Sequence, residues 1–107
     1  MPRYCTIYRA KPGMFKLALK RWGELGGPDA PPEFKEALSK LDIDTMEVAL
    51  ANAMIIAVYN VKEEDLSHLQ LLAMYLADAF DIETIPVCPM EEHGKAAELY
   101  MKVTGGN

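Results

Sequence analysis

Three side chains have the chemistry to move a proton: Glu47, His68 and Tyr8. Glu47 lies in an alternating stretch, so desolvation in a cavity would raise its carboxyl toward the range of a general base. His68 has a suitable unperturbed pKa, but the sequence pairs it with neither a nucleophile nor a carboxylate. An imidazole placed like that reads first as a surface or interface residue. Tyr8 shares a short stretch with Tyr4 and Thr6. Together with Thr45, Glu47 and Thr84 these make a polar set able to converge among apolar walls, as small-molecule sites do. Tyr4, Thr6, Tyr8, Thr45, Glu47 and Thr84 are therefore expected on the open face of a sheet as ligand-binding groups. Against this stands the simpler reading that Glu47 and its neighbours face solvent, and a one-residue slip of register would invert the faces.

Metal chemistry has thinner support. Cys88 and His93 flank Glu91 and Glu92, and thiolate, imidazole and carboxylate are zinc ligands. A closed zinc site needs four of them, usually with paired Cys or His spacing. That spacing is absent, so no metal and no cofactor are expected; a haem or metal binder through His68 or His93 is the third reading. Cys5 and Cys88 form no disulfide framework and read as buried thiols. Neighbouring antiparallel first and last strands would bring them close enough to pair if their Cβ atoms faced each other. The chain has no phosphate loop, dinucleotide fingerprint, nucleophile elbow or HExxH motif.

The elements that must position these groups follow from hydrophobic spacing. Residues 4–10 alternate as a first strand, Lys11-Pro12-Gly13 is a turn, and residues 14–25 form a helix with Phe15, Ala18, Leu19 and Trp22 on one side. Gly26-Gly27-Pro28 ends it through a left-handed cap and a proline block. Residues 33–40 give a short extra helix. In residues 44–50, Met46, Val48 and Leu50 share one face and Thr45, Glu47 and Ala49 the other. Ala51-Asn52 is a hairpin turn. Residues 54–59 are a continuous β-branched run that asks for cover on both faces. Asn60 and Glu63 suit a capping box for a long helix with Leu66, Leu69, Leu72, Ala73, Leu76 and Phe80 on one face. Its other side carries Leu71, Met74 and Tyr75, expected at an interface. Residues 81–87 form a fourth strand. Residues 91–103 form a last helix with Ala96, Ala97, Tyr100 and Val103 inward, and Thr104-Gly105-Gly106-Asn107 is a frayed tail.

That order, β-α-β-β-α-β plus a terminal helix, is the ferredoxin-like pattern: a four-stranded antiparallel sheet with its main helices on one face. One domain spans 1–107. The uncovered sheet face and the spare apolar residues on the long helix predict a homodimer, with higher oligomers open.

Composition narrows the classes. The formal charge of -5 argues against nucleic acid. The charge is uneven: Arg3, Arg9, Lys11, Lys16, Lys20 and Arg21 all precede the first acid, Glu24. No apolar stretch is long enough to span a membrane. Met1-Pro2-Arg3-Tyr4 lacks the apolar run of a signal peptide, so a cytoplasmic protein is expected. Seven methionines, spread along the chain, read as core filling.

Pro12-Gly13-Met14-Phe15, Trp22, Gly26-Gly27-Pro28, the 53–59 strand and Ile85-Pro86-Val87 before an acid-led, Ala-rich helix resemble a family of small uncharacterised prokaryotic proteins within the dimeric α/β-barrel superfamily. Residues 33–41 look like an insertion in that pattern. The superfamily includes cofactor-free monooxygenases, haem-degrading enzymes, chlorite dismutase-like enzymes, lactone isomerases and ligand-sensing domains. The resemblance implies a fold and a dimer far more than an activity. The leading expectation is a homodimeric domain that binds a small apolar or aromatic molecule, or serves as a regulatory or assembly module. The alternative is a cofactor-free monooxygenase or isomerase that uses the sheet cavity.

Overall fold

The computed structural model describes residues 1–49 and 53–105. Leu50, the turn expected at Ala51-Asn52, and the tail residues Gly106 and Asn107 lie outside the described residues. The elements run β1 (Arg3–Ala10), α1 (Phe15–Leu25), α2 (Pro32–Ser39), β2 (Asp42–Ala49), β3 (Met54–Asn60), a 3-10 turn (Glu63–Asp65), α3 (Leu66–Leu76), β4 (Phe80–Pro86) and α4 (Met90–Val103). The four strands make one sheet in the order β2-β3-β1-β4, and every pairing is antiparallel. No helix among the described residues is long and apolar enough to cross a membrane.

Local chemistry sets several boundaries. Met14 N–H donates to the Lys11 carbonyl at 2.9 Å, closing a turn with Pro12 and Gly13 in its centre. Gly13 has φ 77°, which the third position of such a turn requires and which a side chain resists. A Cβ there would meet nothing within 4 Å, so the cost of filling it is conformational. Gly13→Ala is expected to lower stability by about 1 kcal/mol, read as a lower urea midpoint. An unchanged midpoint would deny the left-handed geometry any energetic weight.

Two expected caps form differently. Gly26 follows α1 with φ -102°, so the helix ends without a left-handed residue. Asn60 stays in the sheet, opposite Arg3 and Asp42, and makes no capping box with Glu63. The 3-10 turn intervenes, and α3 starts at Leu66 with no side-chain cap.

The sheet has one covered face. Cross-strand register puts Tyr4, Thr6 and Tyr8 of β1 beside Tyr59, Ala57 and Ile55 of β3, and beside Pro86, Thr84 and Ile82 of β4. This row meets α1, α2 and α3 in one core that includes Ala18, Leu25, Ala37, Leu72, Leu76 and Phe80. A bulge between Ile43 and Thr45 makes Asp44 the extra residue. It brings Ile43, Met46 and Val48 onto the helix side and leaves Thr45 and Glu47 on the other. The opposite face carries Cys5, Ile7, Ile56 and Val58, all half-buried, and the exposed Ile85. Arg9 and Glu83 pair across that face at 3.5 Å, and Arg3 pairs with Asp44.

The extra helix α2 does what an interface was expected to do. It packs along α3, with Phe34 and Tyr75 ring centroids 4.6 Å apart. The Arg21 guanidinium lies 4.8 Å from the centre of the Tyr75 ring and donates to the Tyr75 carbonyl at 3.1 Å, while the Tyr75 hydroxyl donates to Glu24. Leu71 also packs against the core. Of the expected interface set Leu71, Met74 and Tyr75, only Met74 remains exposed. The half-burial of Leu71 and Tyr75 has a simple cause: α2 supplies a second apolar surface to α3.

The reverse holds for α4. Ala96, Ala97, Tyr100 and Val103 were expected inward, yet no residue of α4 is buried and, among the described residues, no element packs along it. The chain measures 57 × 32 × 19 Å with a radius of gyration of 17.0 Å, against about 13 Å for a compact domain of this size.

Candidate functional site

Beneath α1, α2 and α3 lies a cavity of 180 Å³. Its floor is Tyr8, Ala57 and Tyr59 on the sheet, and its walls include Trp22, Leu38, Leu72 and Leu76. The strands put the phenols there because β1 and β3 are in register with both rings on the helix side. Tyr8 stacks edge-on against Trp22 at 5.3 Å, which fixes the parity of β1. The polar side-chain atoms at this cavity come from Tyr8, Tyr59 and Trp22, and no carboxylate, imidazole, thiol or amine lines it.

A line of hydroxyls runs beneath it. Thr6 Oγ1 lies 2.6 Å from the Tyr59 hydroxyl and 3.1 Å from Thr84 Oγ1. Every buried side-chain polar atom among the described residues has a partner. Burial pushes the Tyr8 phenol far above its ordinary value, and the neighbouring Tyr59 adds to the rise. Burial also raises Tyr59, against the lowering effect of its hydrogen bonds to Thr6 and Thr84. Both phenols are therefore neutral near pH 7. They can donate or accept a hydrogen bond but supply no base.

The expected site residues do not share one surface. Tyr4, Thr6, Tyr8 and Thr84 lie on the helix side, whereas Thr45 and Glu47 lie on the uncovered side. The expectation that all six line the open face is corrected for the first four. Burying the aromatic rings under the helices decides the orientation of β1, and the apolar Met46 and Val48 decide that of β2. Glu47 is exposed opposite Ile56, and His68 is half-buried on α3. Neither lines this cavity. Cys5 and Cys88 are both free; Cys5 faces Ile85 in the register, so Cys88 lies three residues past it. His93 stands on the exposed α4. No cluster of three metal-ligating side chains occurs among the described residues. The sequence reading missed Trp22 and Tyr59 as site residues. Tyr59 was legible as the last alternate residue of the apolar run that holds Ile55 and Ala57.

Fold and cavity together define a class: a single-sheet α+β domain with an apolar pocket that holds no acid–base pair. No protein-family model matches the chain, and no curated protein matches it in sequence. Among solved structures it is similar to an uncharacterized NIPSNAP domain protein from Burkholderia xenovorans, with a TM-score of 0.54 at 11% identity over 83% of this chain and 94% of that one. At that identity the likeness speaks for the fold.

Proposed function

We propose that the chain is a ferredoxin-like, cytoplasmic domain that pairs with a second copy across its open sheet face and binds a small apolar or aromatic molecule without chemistry of its own. One observation carries the binding reading: the 180 Å³ cavity with apolar walls and neutral phenols. A sealed apolar cavity of about 150 Å³ takes benzene-sized guests, and this pocket, partly open to solvent, has room for one. The pairing reading draws on strand β3. Its Ile56 and Val58 leave an apolar strip on the face that no helix covers, as in dimeric α/β barrels. The likeness to a NIPSNAP domain fits that fold.

The test is a thermal-shift panel of small aromatics such as toluene and p-cresol. A ligand at one hundred times its Kd adds about 2.7 kcal/mol, a rise of about 10 °C or more for a domain of this size. Ala57→Leu, which fills the cavity floor, should abolish the rise. A panel without a shift, or equal shifts in the variant, removes the binding reading. Light scattering should give twice 11.9 kDa; a monomer mass removes the dimer.

A further inference from the structure

We infer that α4 is an arm exchanged between two copies of this chain, seated in the groove between α1 and β2 of the other copy. This rests on the dimer proposed above and says how that dimer is locked.

Helical spacing gives α4 two sides. Met90, Ala97, Tyr100, Met101 and Val103 fall on one half of its wheel, with His93 among them; Glu91, Lys95, Glu98 and Lys102 fall on the other, with Leu99 at its edge. In the described chain the apolar half meets water, with Tyr100 at 66% and Val103 at 86% exposure. A helix of fourteen residues is marginal alone, and Gly94 weakens it by about 1 kcal/mol. Its persistence calls for a packing surface.

The same chain offers one. Between α1 and β2 runs an apolar groove of 310 Å³, lined by Phe15, Ala18, Leu19, Trp22, Val48 and Ile55. Leu19 is 60% exposed and Val48 59%, so the helix side of β2 is uncovered. Lys16 and Lys20 stand exposed on the α1 rim, opposite in sign to Glu91 and Glu98. The charge also selects the occupant. A helix that lies on an anionic membrane carries a Lys/Arg-rich polar face, whereas α4 has three acids and two lysines.

Geometry makes the exchange intermolecular. The α4 arm leaves β4, the edge strand opposite β2. It leaves near Tyr4, the β1 residue paired with Pro86, whereas the groove lies near Ala10 at the other end of β1. Its own groove, which Ala10 and Phe80 also line, is thus a full strand length away, about 20 Å over residues 80–86, with the α1–α3 layer between. The connection is three residues, 87–89, ending in Pro89 with φ -59° and ψ 153°, too short and stiff to lead the arm around. Exchange of an identical element is a low-cost route to a symmetric dimer.

The experiment replaces both native cysteines by serine and mixes full-length chains bearing Leu19→Cys with chains bearing Ala97→Cys under diamide. Both positions are exposed in the described chain, so folding is spared. The expected product is a covalent dimer containing one chain of each kind, with the doubly substituted chain also giving covalent dimer. Intrachain closure of the double variant overturns the proposal. A dimer by light scattering that forms no 19–97 bond overturns it while leaving the dimer reading intact. A monomer mass removes both.

Discussion

Phe80→Ala is expected to remove about 3–5 kcal/mol of stability, out of about 5–15 kcal/mol for an ordinary domain. Phe80 is 4% exposed and sits where β1, α1 and β4 meet. Its ring is edge-on to Tyr8 at 6.1 Å and to Trp22 at 6.0 Å. The substitution therefore forfeits the buried area and two aromatic pair terms of about 0.5–1.5 kcal/mol each. It also leaves a hole that backbone hydrogen bonds keep from collapsing, since Lys11 N–H donates to the Ala79 carbonyl beside it. Urea denaturation followed by Trp22 fluorescence reads the loss directly. Phe80→Leu, which keeps most of the volume, should cost visibly less. A loss below about 1 kcal/mol for alanine would mean that the trio does not fix the sheet to α1.

The second large effect is an alkaline loss of stability. Tyr8 and Tyr59 both have phenols raised by burial. Below the ordinary phenol value of about 10, folded and unfolded chains hold these protons equally and the full stability is present. Above it the unfolded chain ionises while the folded chain does not. Stability then falls with rising pH until the folded value is reached. One pH unit above the unfolded value, the protected Tyr8 phenol costs about 1.4 kcal/mol, or about 6–10 °C in Tm for a domain of this size, and Tyr59 adds in the same direction. Tyr8→Phe should flatten the melting curve between pH 9.5 and 11. Tyr59→Phe should do the same and leave Thr6 bonded to Thr84. Equal slopes in wild type and both variants would show that other groups govern the alkaline limb.

Strand identities and their order along the chain were legible because alternation and β-branched runs are local signals. Gly13 announced its turn for the same reason. The boundary at Phe80 was not legible. Leu72, Leu76 and Phe80 continue a helical spacing, and no glycine or proline interrupts it. The helix nonetheless stops at Leu76, and Phe80 opens β4, because its ring finds Tyr8 and Trp22 across the sheet. Face assignment failed for a related reason: Tyr4, Thr6 and Tyr8 look amphipathic in sequence, and only packing against the helices decides which way they turn. The cover that α2 gives α3 could not be read from either helix alone. It comes from Phe34 and Tyr75, forty-one positions apart.

The central place of β1 also shapes how the chain comes to exist. It is made before the other three strands of its sheet, yet one of its neighbours is β4, with Thr6 opposite Thr84. Until residue 86 has emerged, β1 offers one bare backbone edge to any passing strand. Pairings across such separations are slow to form, and incomplete chains with open edges are the ones that aggregate. A nascent chain stalled before β4 is therefore open to such pairing, and β4 acts as the seal on β1.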